Sequence, residues 1–168
     1  MMVCLGNICR STMAEALLNH KIKLANLQDS LYVESCGTSD YHVGDPPDKR
    51  TMRVLTENKI TYKHLGQQLK KEHFEKFDYV LGMDSNNFRE IRFLAIKNNL
   101  SEAAFIGLVR NFENGFFEDN YLEVADPYYE QGSAFNECYR ILDKATDGLM
   151  TVLRAELAKK QSNPEAKI

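Results

Sequence analysis

Within its first eighteen residues the chain passes from an apolar start, Met1-Met2-Val3, through Cys4-Leu5-Gly6-Asn7-Ile8-Cys9-Arg10-Ser11, into the helix-like run Thr12-Met13-Ala14-Glu15-Ala16-Leu17-Leu18. A strand, a loop and a helix in that order aim the loop's backbone N–H groups and the helix N-terminus at one point, where an anion binds. Gly6 and Asn7 are residue types that accept the left-handed backbone such a loop requires. Arg10 adds a planar fork of donors matched to two phosphate oxygens. Cys4, at the strand end of the loop, is a candidate nucleophile because the same donors stabilise a sulfur anion. Ser11 is placed to donate a hydrogen bond to that sulfur. Cys9 is a second thiol in the loop, able to trap an oxidised Cys4 as a reversible disulfide.

Beyond the loop, strand-like and helix-like segments alternate. Strands are predicted at Met2 to Cys4, Tyr32 to Ser35, Tyr79 to Leu81 and Phe105 to Val109. Helices are predicted from about Thr12 to Ala25, Asp48 to Glu57, Lys71 to Phe77, Asp84-Ser85 to Asn98, and from Ser133 onward. The last helix carries Phe135, Tyr139, Leu142, Thr146, Leu149, Leu153 and Leu157 at three- and four-residue steps, which is a core-facing stripe. Strands separated by helices imply right-handed crossovers and a twisted parallel sheet with helices on both faces, a three-layer α/β fold. Ligands in such folds sit at the carboxyl ends of strands, where the Cys4 loop lies.

A length of 168 residues fits one domain, expected over 1–160, with 161–168 read as a frayed tail. A net charge of −3 and no basic run argue against a nucleic-acid partner. No apolar stretch is long enough to span a membrane and no signal segment is seen, so the cytosol is the expected location. The four cysteines are too few for a secreted disulfide framework, and the four histidines lack ligand spacing, so no metal is expected.

The run Val3-Cys4-Leu5-Gly6-Asn7-Ile8-Cys9-Arg10-Ser11 resembles the signature loop of the low-molecular-weight protein tyrosine phosphatases. Asp126-Pro127-Tyr128-Tyr129 resembles that family's general-acid loop. Gly44-Asp45-Pro46-Pro47-Asp48 and Phe77-Asp78-Tyr79-Val80-Leu81-Gly82-Met83-Asp84 resemble family segments in the family's order. Read alone, Asp126-Pro127 is a turn or a helix start; the resemblance makes Asp126 the general acid and then the base.

The resemblance further implies a four-stranded parallel sheet with the first strand central. It implies hydrolysis of phosphotyrosine and small aryl phosphates with no cofactor, on phosphotyrosine-containing protein substrates, with phosphate or vanadate as inhibitors. Cys4, Arg10 and Asp126 would be catalytic, and Leu5, Gly6, Asn7, Ile8, Cys9 and Ser11 would build the phosphate-binding loop. Leu5, Ile8, Tyr41, Tyr128 and Tyr129 would wall the substrate slot. Asn7, Ser35 and His64 would hold the loop in shape through hydrogen bonds; a surface role is the other reading of His64.

Three rivals share the loop or the scaffold. Protein arginine phosphatases resemble the chain less, carrying threonine at Ile8 and phenylalanine at Tyr128. An arsenate reductase needs a downstream cysteine pair, and only Cys36 and Cys138 remain. An inactive phosphotyrosine-binding module fits poorly with intact Cys4, Arg10 and Asp126. Two departures from the family pattern stand out. Only three residues precede Cys4, which predicts an underfilled sheet centre and a first strand barely long enough to pair. The stretch from about Arg110 to Ala125 is longer than usual and carries Phe112, Phe116, Phe117 and Tyr121, read as a surface insertion packing its own aromatics.

Overall fold

A computed structural model describes residues 1–162. Its order is β1 (Met2–Cys4), α1 (Arg10–Leu24), β2 (Ser35–Gly37), α2 (Lys49–Glu57), α3 (Glu72–Lys76), β3 (Tyr79–Gly82), α4 (Ser85–Lys97), β4 (Phe105–Leu108), a 3-10 turn (Val109–Phe112) and α5 (Ala134–Ser162). The four strands form one sheet in the order β2-β1-β3-β4, and every pairing is parallel. The first strand is therefore central, as the resemblance implied.

Alternation along the strands sorts the core into two layers. Met2 and Leu81 face α1, α2 and α5, where Leu17, Leu55, Leu142 and Leu149 pack. Val3 and Val80 face the opposite layer, with Phe74 and Phe77 around α3, and Ile91 and Ala95 on α4. Both clusters are apolar and closed to solvent, so the sheet lies between two layers of helices.

Short as it is, β1 pairs on both sides: Met2 is opposite Ser35 and Leu81, and Val3 opposite Cys36 and Gly82. Met1 joins the ladder too, its amino group donating to Tyr79 O at 2.7 Å and its carbonyl accepting from Leu81 N. Strand length thus does not limit pairing. A pocket of about 100 Å³ does remain at that end of the sheet, bordered by Met1, Met2, Leu18, Ile22 and Leu149.

Strand β2 lies three residues later than its predicted start. Tyr32 and Val33 are the better strand formers, yet Tyr32 turns outward and lies tilted against Phe77, 5.2 Å between centroids. The residues that pair are small because the phosphate-loop backbone crosses them: a Cβ on Gly37 would meet Leu5 O at 2.6 Å. Helix α1 begins at Arg10 instead of Thr12, with Thr12 Oγ1 donating to Cys9 O. Helix α5 carries on to Ser162, so the tail expected from Gln161 is helical for two residues; the rest of that expectation lies outside the described residues.

The long segment after β4 packs its own aromatics only in part, Phe112 against Phe117, and also packs on the sheet. Phe112 is buried and meets Tyr79 of β3 and Phe105 of β4 edge-on, at 5.8 and 5.7 Å. Phe117 packs on both Phe105 and Phe112. The segment is therefore fastened to the sheet edge chiefly through buried Phe112, with Phe117 half exposed and Phe116 and Tyr121 exposed. None of the helices among the described residues is long and apolar enough to cross a membrane.

Candidate active site

The loop from Cys4 to Arg10 lies at the carboxyl end of the central strand and wraps a pocket of about 120 Å³. Cys4 Sγ accepts from the Asn7 backbone N–H at 3.3 Å and lies 3.1 Å from Ser11 Oγ. Asn7 has φ 57°, the left-handed value foreseen for a loop folded around an anion.

A chain of side chains holds Asn7 in that conformation. Its Nδ2 donates to Ser11 Oγ at 2.9 Å and to Ser35 Oγ at 2.8 Å. Its Oδ1 accepts from Gln67 N at 2.9 Å and meets His64 Nε2 at 2.8 Å. Ser35 in turn donates to Glu15 Oε2 at 2.6 Å, where Tyr62 OH also donates at 2.7 Å. Ser35 and His64 thus sit where the resemblance put them, and His64 is not a surface residue: its side chain is only 8% exposed. Glu15, Tyr62 and Gln67 were not singled out from the sequence. Glu15 left the clearest signal, as an acidic residue one turn beyond Ser11 in an otherwise apolar stretch of α1. Burial raises its pKa against the hydrogen bonds from Ser35 and Tyr62, and burial lowers that of His64.

Arg10 is buried and gripped along one edge. Nη1 donates to Asp84 Oδ2 and to Val124 O, while Nη2 donates to Asp126 Oδ2 at 2.8 Å. Nε is buried with no partner among the described residues. Burial works to lower the pKa of this guanidinium, but Cys4, Asp126 and Asp84 together raise it, so the cation is secure. Asp84 has two tasks: one oxygen caps α4 by accepting from Asn87 N at 2.7 Å, the other orients Arg10. The sequence disclosed only the first.

Asp126, 116 positions from Arg10, is brought to the same pocket by Val124, which is buried and donates to Met83 O at 2.8 Å. Leu5, Gly6, Ile8, Cys9, Tyr41, Tyr128 and Tyr129 complete the walls, all foreseen; His42 joins them and was not. Tyr128 and Tyr129 meet edge-on at 4.9 Å. Cys9 is buried, and burial pushes its thiol well above the ordinary range, with Asp48 adding to the effect. Among the described residues no group of three or more His, Cys, Asp or Glu could hold a metal ion.

Comparison with known proteins agrees with this geometry. The chain is 38% identical over 138 residues to the low molecular weight phosphotyrosine protein phosphatase of Schizosaccharomyces pombe, covering 82% of this chain and 85% of the relative. It is 39% identical over 141 residues to low molecular weight phosphotyrosine protein phosphatase 2 of Drosophila melanogaster, covering 83% and 82%. Among solved structures, that of DARP, a Drosophila arginine phosphatase, superposes with a TM-score of 0.81 at 31% identity, over 89% of this chain and 93% of that one. The family profile described as low molecular weight phosphotyrosine protein phosphatase matches residues 1–163, and so takes in the Cys4 loop and the Asp126 loop alike. A match of that extent, on a fold that draws both loops into one pocket, means that the chain belongs to the low molecular weight phosphotyrosine protein phosphatase family.

Proposed function

We propose that the protein hydrolyses phosphotyrosine in protein substrates, and small aryl phosphates, through a phosphocysteine intermediate. The observation that carries this reading is the meeting of Cys4, Arg10 and Asp126 in one pocket with aromatic and aliphatic walls. Cys4 Sγ attacks phosphorus as the P–O bond to the phenol breaks, and Asp126 gives its proton to the departing oxygen. The loop N–H groups, Arg10 Nε and the second N–H of Arg10 Nη2 hold the phosphoryl oxygens as their charge redistributes. In the second step Asp126 takes a proton from water, the water oxygen bonds to phosphorus, the P–S bond breaks, and inorganic phosphate leaves. Phosphate and vanadate should therefore compete for the same loop, and the reaction as written needs no cofactor.

Ile8 and Tyr128 favour a planar phenyl ring over the polar guanidinium of phosphoarginine, the substrate of the arginine phosphatase named above. Arsenate reduction lacks a resolving pair, since Cys36 and Cys138 lie in opposite core layers, both buried. Turnover of phenyl phosphate against phosphoarginine tests the substrate class. Phenyl phosphate should be the better substrate, and a clear preference for phosphoarginine would overturn this reading. Cys4→Ser should abolish turnover while still binding vanadate, and Arg10→Lys should lose most activity, since an ammonium cannot reproduce the fork. Substantial turnover by Cys4→Ser would remove it as nucleophile.

A further inference from the structure

Arg10 has to be shared between Asp126 and a phosphate, because Nη2 carries two N–H groups and one of them is already on Asp126. Its Nη1 is fixed by Asp84 and Val124 O, so a phosphoryl group at Cys4 must take the remaining edge, Nε and Nη2. Nη2 is where Asp126 is held at 2.8 Å. To act as an acid Asp126 must first carry a proton, and a neutral carboxyl no longer forms an ion pair with Arg10, so that tie weakens when the acid is needed. Val124 still ties the chain before Asp126 to Met83 O; beyond Asp126, among the described residues, the backbone from Pro127 to Ser133 makes only local bonds, Tyr128 N to Asp126 Oδ1, Glu130 N to Pro127 O and Glu137 N to Ser133 O.

The other tie runs through Arg50. Its guanidinium carbon stands 5.5 Å from the Tyr128 ring centre and 4.4 Å from that of Phe135, on the first turn of α5. Both rings lie on the carboxyl side of Asp126, one within the acid loop and one at the start of α5, and a guanidinium near both ties the acid loop to the helix. Arg50 is itself held in a fork by Asp48, Nε to Oδ1 at 3.0 Å and Nη2 to Oδ2 at 2.8 Å. These bonds keep the Asp48 carboxyl below its ordinary range. Asp48 is fastened to the phosphate loop, its N–H donating to Ile8 O at 2.9 Å. A continuous path thus runs from the phosphate loop, through Asp48 and Arg50, to the wall residue two positions beyond the acid.

We propose that Arg50 is a positioning residue, which keeps Asp126 in reach of the leaving oxygen once Asp126 is protonated and its ion pair with Arg10 is gone. This rests on the phosphatase reading above. Arg50→Met keeps the length of the stem and removes both the charge and the fork. It should lower kcat/KM about tenfold for phenyl phosphate, whose leaving group needs a proton, and hardly at all for 2,4-dinitrophenyl phosphate. Arg50→Lys keeps a cation near the rings without the fork, and should retain part of the loss-sensitive rate. In an Asp126→Asn background, Arg50→Met should cost nothing further on phenyl phosphate. An equal loss on both substrates, or an undiminished loss in the Asp126→Asn background, would show that Arg50 acts on binding or on folding and overturn the proposal. A wild-type protein inert towards both aryl phosphates would instead defeat the phosphatase reading itself, and is read before any variant.

Discussion

At the scale of single residues the pocket shares its parts between two states. Asp126 pairs with Arg10 in the structure described, and the same carboxyl is the group proposed to protonate the leaving oxygen. Asp126→Asn should slow phenyl phosphate by about 10²–10⁴-fold and a low-pKa phenol ester far less. An equal loss on both would assign Asp126 a structural task. Cys9 lines the same pocket as Cys4. A sulfenic acid formed on Cys4 can be captured by the Cys9 thiol with loss of water, and a dithiol then restores both. Wild type should recover activity in dithiothreitol after peroxide, and Cys9→Ser should not; equal recovery would remove Cys9 from that chemistry. Cys4 and Arg10 were legible because the spacing of their loop marks them, and Asp126 only through the resemblance to a family. Glu15, Tyr62 and Arg50 were not, because what they do depends on partners brought together by folding: Tyr62 reaches Glu15 across 47 positions.

At the scale of elements, periodicity located helices such as α2, α4 and α5 that bury one face, although α1 is buried on every side from Arg10 to Leu18, and it failed where backbone proximity governs. Strand β2 is the clearer instance: Tyr32 and Val33 advertise a strand, but Gly37, under the carbonyl of Leu5, fixes where pairing falls. The same principle acts on α5, whose stripe was evident but whose glycine was not informative. Gly148 lies against the 3-10 turn, and a Cβ there would come within 1.9 Å of Phe112 O and 2.8 Å of Glu113 C. In an open helix, alanine in place of glycine would add about 1 kcal/mol of stability. Here backbone must move apart, at a cost of about 1–3 kcal/mol or more. Gly148→Ala should lower the urea midpoint; an unchanged or higher midpoint would mean that the turn yields freely. Because that turn leads into the segment ending at Asp126, the variant should also weaken activity on phenyl phosphate.

At the scale of the whole molecule, the hydrogen-bond chain beneath the phosphate loop joins α1, β2 and the strand-free stretch before α3, so its protonation bears on global stability. His64 has a lowered pKa in the folded protein, burial being the main cause, with Glu34 opposing it. As pH falls below the ordinary value of 6.5, the unfolded chain takes up a proton there that the folded chain refuses. The contribution of His64 to stability is therefore full above that value and is lost as pH falls towards its folded value. Glu15 works in the opposite sense. Its raised folded pKa means that the folded chain keeps a proton where the unfolded chain, near 4.5, has released it, so its contribution fades as pH rises through the folded value. The wild-type profile mixes the two, and a difference measurement separates them. Gln at position 64 can still donate to Asn7 Oδ1 but does not titrate. The unfolding free energy of wild type minus that of His64→Gln should be smaller at about pH 5.5 than at about pH 7.5. A difference that stays constant with pH would mean that His64 binds its proton equally in both states, and that its burial beside Glu15 does not govern the acid stability of the fold.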